Sequence, residues 1–315
     1  MIDQKVLAEL EAQRAEVSKK FVNVFLGMGF WLIALLFIPL AAVLFVTGIH
    51  IVLPSFVVVL LEVAMVGWLI VNIFRIVKAV RSFKPFKAKF KAELVHKLFE
   101  DVYGEVQFEP EQGLDWQQVR EGELIAGGDT YSTNDLLKAK YKGVDFCQAD
   151  IHIQEKHESE KHTTYVTTFL GQYRIFTFPK TFTSYMQIRD KNKRKSNARS
   201  PYTKKSLYDN QEKIELENPV FEESFDVYGQ SAHDAYYILT PHFMEKLLAL
   251  REKLNCELNI AFLNKELHMS TLSSKDLFEP NLFAPLDQKA LDAIVEEAGL
   301  IKDIIDELSL DRNVA

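Results

Sequence analysis

Residues 21–74 form one apolar block that carries a single formal charge, Glu62. Such a block decides where a chain can reside before it says how the chain folds. A bilayer core about 30 Å thick is crossed by roughly 20 apolar residues in a helix. Residues 24–46 and 51–74 supply two such lengths, joined by Thr47, Gly48, Ile49 and His50. Backbone polar groups find no partner in hydrocarbon, so both lengths are expected as helices and the pair as a transmembrane hairpin. Pro54 suits the first turn of the second helix. Pro39, deep in the first, predicts a kink.

The flanks orient the hairpin. Lys19 and Lys20 precede it; Arg75, Lys78, Arg81, Lys84, Lys87, Lys89 and Lys91 follow it with no acidic residue among them. The connection has neither Lys nor Arg. The positive-inside rule then places both termini in the cytoplasm. A cleaved signal peptide is disfavoured, because the block is too long, begins after a charged segment and leads straight into a second span. Net charge is −7 for the whole chain, so the basic collar is a local feature.

Four segments follow: an amphipathic N-terminal helix (1–20), the hairpin (21–74), a basic juxtamembrane helix (75–98) and a cytosolic domain (99–315). In the third, Phe83, Phe86, Phe90, Leu94 and Leu98 alternate with lysines. That pattern suits a helix lying at an anionic surface, each basic group gaining about 1 kcal/mol. The seven basic residues 75, 78, 81, 84, 87, 89 and 91 are therefore candidate lipid-binding residues. The alternative is that the lysines only set topology and the aromatics pack on the domain.

Within the domain, residues 134–141 and 144–154 flank Lys142-Gly143, a hairpin signal. Tyr165, Thr167, Phe169, Tyr173, Ile175 and Thr177 alternate, with Gly171 expected as a bulge or turn. Residues 213–216 and 225–228 are shorter strand candidates, and 232–239 reads as a short helix. Thr240 suits an N-cap and Pro241 the first position of a helix running to Leu254. Residues 257–263 and 266–271 predict a second hairpin across Asn264-Lys265, and 286–308 a closing acidic helix. Antiparallel hairpins with segregated helices define the expected fold: a two-helix transmembrane hairpin plus a cytosolic α+β domain with an antiparallel sheet and C-terminal helices.

Little in the sequence points to chemistry. Glu62 is the one ionisable side chain near the centre of a span, where a charged carboxylate costs about 2.5–3.5 kcal/mol. It is expected to be neutral, or to face the other helix or another subunit. His152, His157 and His162 recur every five residues among Glu155, Glu158 and Glu160. That spacing matches neither a helical face nor one face of a strand, so a solvated hairpin turn is preferred to a metal site. No phosphate-binding glycine loop, dinucleotide fingerprint or nucleophile elbow is present. Cys147 and Cys256 are expected as free thiols in a reducing compartment. Residues 189–205 carry eight basic residues against one acid, Asp190, and read as a solvated loop, with contact to anionic lipid, ahead of nucleic acid, as the open alternative.

Several stretches resemble a known family: Gly122-Glu123-Leu124-Ile125-Ala126-Gly127, Ala139-Lys140-Tyr141-Lys142-Gly143-Val144, Phe225-Asp226-Val227-Tyr228, His233-Asp234-Ala235-Tyr236-Tyr237-Ile238-Leu239-Thr240-Pro241 with Phe243-Met244, and Asp276-Leu277-Phe278-Glu279-Pro280. The chain resembles, over about residues 1–310, bacterial membrane proteins that carry the domain of unknown function 3137. The resemblance implies a bacterial inner-membrane home and supports the domain boundary; it implies no activity. The expectation is a membrane-anchored scaffold or adaptor that binds a protein partner or anionic lipid headgroups. The closing acidic helix is its protein-facing element. Homo-oligomers are compatible, nucleic acid is disfavoured, and no cofactor, metal or catalytic residue is assigned. Two alternatives stay open: a membrane-bound enzyme whose site no motif reveals, and an oligomeric transporter component resting on Glu62.

Overall fold

Leu10, Val17 and Val24 are buried at intervals of seven residues, and so are Asn72, Ala79 and Phe86. A seven-residue repeat keeps one face of a helix against a partner. The two sets lie on α1 (Gln4–Val46) and α2 (Ser55–Phe90). These helices run antiparallel: Glu9 pairs with Lys89, Phe21 meets Phe83, and Gly27 meets Asn72. A Cβ at Gly27 would fall 2.0 Å from Asn72 Oδ1, so a larger residue there would displace the Asn72 side chain. The amphipathic N-terminal segment is thus the first part of one 43-residue helix. Pro85 lies inside α2, and a π-turn (Lys91–Val95) leads into α3 (His96–Tyr103).

The computed structural model describes residues 4–46, 55–159, 162–177, 181–191, 207–273, 278–308 and 310. For 30–46 and 55–62 it describes the backbone alone. The expected connection 47–50, Pro54 and the side chains of Pro39 and Glu62 lie outside the described residues. Two units partition the chain: Met1–Lys97 with Glu279–Ala293, and Leu98–Phe278 with Ile294–Ala315.

The second unit is α+β. Its nine strands are β1 (Val106–Glu109), β2 (Thr130–Tyr141), β3 (Val144–Glu158), β4 (Thr163–Thr177), β5 (Met186–Asp190), β6 (Glu212–Ile214), β7 (Phe225–Gly229), β8 (Leu258–Leu263) and β9 (Glu266–Leu272). They form one sheet in the order β1-β2-β3-β4-β9-β8-β5-β7-β6, every described neighbour pair antiparallel. Tyr141 pairs with Val144 across Lys142-Gly143, where Lys142 adopts φ +47° and Gly143 φ +85°. Asn264, at φ +51°, turns β8 into β9. Both hairpins stand where the turn residues put them.

Gly171 is neither bulge nor turn. β4 passes straight through it opposite Leu272, and a Cβ would lie 2.0 Å from the Thr271 carbonyl oxygen. The glycine admits the close approach of β9; the ladder irregularity falls instead between Ile153 and Gln154. A second correction concerns the basic segment. Arg189 and Asp190 belong to β5, and Asp190 is buried, so the segment begins as a central strand; residues 192–206 lie outside the described residues.

One sheet face is covered by α3, α7 (Pro241–Leu254) and α8 (Gln288–Leu308), through Tyr103 on Phe146, Phe243 on Phe262, and Glu297 on Gln172. Thr240 caps α7 through its hydroxyl, as its sequence signal predicts. The other face packs Ala149, Ile151, Tyr173 and Ile175 against Leu114, Val119, Leu124 and Ile125 around α4 (Trp116–Glu121). Two further short helices, α5 (Pro219–Ser224) and α6 (Ala232–Ile238), flank β7 in sequence.

Candidate functional site

The seven collar residues separate into two groups by exposure and by partner. Arg75, Lys78, Arg81 and Lys84 are exposed. The Arg75 guanidinium lies over the Trp68 ring, 5.4 Å from its centre. Lys87 pairs with Glu279 at 2.6 Å, and Lys89 pairs with Glu9. Lys91 is 1% exposed and meets Glu279 at 2.5 Å. The last three are engaged by the chain's own carboxylates. Glu279 belongs to the stretch 276–280 quoted above, and sequence spacing could not have paired it with lysines nearly 200 residues away.

Above the collar the same helices are apolar and open. Phe25, Leu26, Val63, Val66 and Phe74 are 56–70% exposed. Among the described residues one helical run, Val63–Tyr103, is long and apolar enough to cross a membrane, and 11% of its most apolar window is buried. Asn72 is the polar exception. It is 3% exposed, its Nδ2 donates to the Trp68 carbonyl at 2.9 Å, and its Oδ1 has no hydrogen-bond partner among the described residues. The sequence reading singled out Glu62 and passed over Asn72, although an Asn inside an apolar run is a visible signal.

The second unit holds its polar groups inside. Tyr173 Oη lies 2.9 Å from His268 Nδ1, and His268 Nε2 lies 2.9 Å from Glu266 Oε2. Tyr173 Oη also donates to the Val119 carbonyl, and a Cβ on Gly122 would fall 2.1 Å from that hydroxyl oxygen. Burial pushes the Tyr173 phenol well up, so it remains a neutral donor. The His268 ring holds the Glu266 carboxyl below its ordinary value of 4.5. A depressed carboxyl stabilises the fold fully above that value and loses its share as pH falls through the folded pKa. Acid unfolding of the wild type is therefore expected to steepen below about pH 4.5, and Glu266→Gln to flatten that step; a superimposable stability–pH curve for the variant would remove His268–Glu266 as its source.

Arg174 is 1% exposed between β3 and β9, donating to Gln148 Oε1 at 2.6 Å, Thr271 Oγ1 at 2.9 Å and Gln172 Oε1. Burial lowers its pKa. Asp190 and Arg251 form a two-pronged pair at 2.9 Å beside a cleft of about 480 Å³ that Ser224, Glu252 and Cys256 also line. Both cysteines are free; burial pushes the Cys147 thiol up to about 11 and raises Cys256 too, opposite to what an activated nucleophile needs. His152 bonds Thr167 at 2.9 Å; His157 is the last residue but one of β3, and His162 stands just ahead of β4. Among the described residues no group of three His, Cys, Asp or Glu is placed to hold a metal.

The expected protein-facing helix, α8, spends several of its acids on the second unit. Glu297 accepts from Gln172, Asp303 from Lys253 and Asp306 from Lys142. Its own Ile294, Ile301, Ile304, Ile305 and Leu308 are buried.

Residues 167–310 match the family described as "Protein of unknown function (DUF3137)". The match runs from within β4 to just past the end of α8. The match is narrower than the resemblance read from the sequence, since 122–127, 139–144 and the spans lie ahead of it. No curated protein matches the chain. Among solved structures, the crystal structure of the mycobacterial trehalose monomycolate transport factor A aligns with 68% of this chain and 96% of its own, at 8% identity and a TM-score of 0.31.

Proposed function

We propose that this chain is a bacterial inner-membrane scaffold or adaptor. A two-helix hairpin (24–46 and 51–74) crosses the bilayer with both termini in the cytoplasm. The α+β unit then works at the cytoplasmic surface, binding a protein partner or anionic headgroups. One observation carries the reading: an open apolar surface on α1 and α2 passes directly into four exposed cations, Arg75, Lys78, Arg81 and Lys84. Water would not tolerate the first, and an anionic leaflet complements the second. The inward polar groups of the second unit have structural partners, which favours a binding role over catalysis.

The test is in-cell crosslinking of the tagged full-length chain, followed by carbonate washing of membranes and mass spectrometry. The expected result is a chain retained in the pellet with a stoichiometric protein attached. Release into the wash would overturn the anchor. Retention without a partner would leave lipid as the ligand and remove the protein-adaptor half.

A further inference from the structure

Residues 280–286, Pro-Asn-Leu-Phe-Ala-Pro-Leu, contain no charge and sit between Glu279 and Asp287. They belong to the same unit as α1 and α2. Three ties hold this loop down. Glu279 takes Lys87 and Lys91. Arg14 Nη1 donates to the Leu282 carbonyl at 2.6 Å. The Glu11 carboxylate, itself gripped by Arg14, accepts from Leu286 N at 2.9 Å. Asn281 Oδ1 accepts from the backbone N–H groups of Phe283 and Ala284 at 2.9 and 3.2 Å, folding a tight turn. Leu282 is turned inward at 8% exposure, and Phe283 outward at 62%.

An aromatic left that open, on a loop fastened so firmly, invites the question of what covers it. Its neighbour is Phe25 of α1, with ring centres 6.3 Å apart. Phe25 and Leu26 are themselves 58% and 68% exposed. On α1, Phe25 lies between Phe21, which meets Phe83, and Gly27, which meets Asn72. That places Phe283 at the level of α2 where exposed Phe74 gives way to Arg75, the boundary between apolar belt and basic collar. Interfacial aromatics sit at such boundaries, and an uncharged turn enters headgroups at little cost.

We infer that the loop 280–286 is a third membrane contact, which dips Phe283 into the bilayer interface beside the hairpin. The occupant of this surface is lipid, since the patch is continuous with the belt and carries no charge of its own. The contact rests on the hairpin reading and adds to it a segment from the far end of the sequence. It also explains why the chain spends Glu11, Arg14, Lys87 and Lys91 on a short turn: they hold the loop at the depth where its aromatic meets lipid.

The test uses the full-length chain in phosphatidylcholine–phosphatidylglycerol nanodiscs. Phe283→Cys, Val66→Cys and Val220→Cys each carry an environment-sensitive nitrobenzoxadiazole label, and the chain without an added cysteine reports what Cys147 and Cys256 contribute. Val220 is 61% exposed on the second unit and serves as the water reference. The label at 283 is expected to emit to the blue of that at 220 and to be quenched by lipids carrying doxyl groups near the headgroup. Emission at 283 matching 220, with 66 quenched by deep doxyl lipids, overturns the loop contact and leaves the hairpin standing. A blue-shifted 283 that doxyl lipids do not quench means protein covers it, which also overturns the proposal. Unquenched labels at both 66 and 283 overturn the hairpin and the loop contact together.

Discussion

Asp190→Ala is expected to cost about 3–5 kcal/mol, as removal of one member of a buried ion pair does. Asp190 exposes 1% of its side chain and Arg251 19%. The carboxylate accepts Arg251 Nε and Nη2 at 2.9 Å each and the backbone N–H of Leu258 at 3.3 Å. One residue therefore ties β5 to the end of α7 and the start of β8. Truncation would leave a guanidinium against the Phe225 ring, 5.5 Å away, with its charge uncompensated, and would orphan the Leu258 donor. Two comparisons isolate the cause. Asp190→Leu combined with Arg251→Met removes both charges and is expected to lose much less than the single change. Asp303→Ala breaks the Lys253 pair, whose side chains are 41% and 52% exposed, and is expected to cost below about 1 kcal/mol. Urea unfolding of the detergent-purified chain measures all three. An Asp190→Ala cost no larger than that of Asp303→Ala would show that the pair is solvated and contributes little.

Asp190 also marks where sequence reasoning ran out. In composition it is the lone acid in a basic run, and such runs are usually solvated. Its partner lies 61 residues later on a helix, a distance that no local pattern spans. The hairpins at Lys142-Gly143 and Asn264-Lys265 and the cap at Thr240 were legible because each rests on contacts within a few residues. Gly171 was legible as a special position and misassigned in kind, because the atom that demands glycine is the Thr271 carbonyl of a strand about 100 residues on. The collar was legible as charge and not as geometry. Its seven cations read alike until Glu279 and Glu9 arrive from elsewhere in the chain to claim three of them.

That division yields the second large effect. Neutralising Arg75, Lys78, Arg81 and Lys84 together to Gln is expected to remove up to about 4 kcal/mol of attraction to an anionic leaflet, at about 1 kcal/mol each. At 1.4 kcal/mol per factor of ten, this approaches a thousandfold loss of preference for anionic over zwitterionic lipid around the chain. Neutralising Lys87, Lys89 and Lys91 instead is expected to leave that preference within a fewfold of wild type and to loosen the helix pair. Lys91 is the costly member. It is buried, and its loss alone, with Lys87 left to pair with Glu279, is expected to remove roughly 1–3 kcal/mol. Spin-labelled phosphatidylglycerol competing with phosphatidylcholine reads the first quantity, and thermal melting in detergent reads the second. Salt adds a further check: screening shrinks to about 3 Å at 1 M, so the wild-type preference is expected to collapse there while the melting difference persists. Equal lipid effects from the two sets would mean that the Glu279 and Glu9 pairings do not hold at the membrane surface. Orientation is not expected to invert in either variant, because Lys19, Lys20 and the untouched half of the collar still outnumber a connecting loop that has no Lys or Arg.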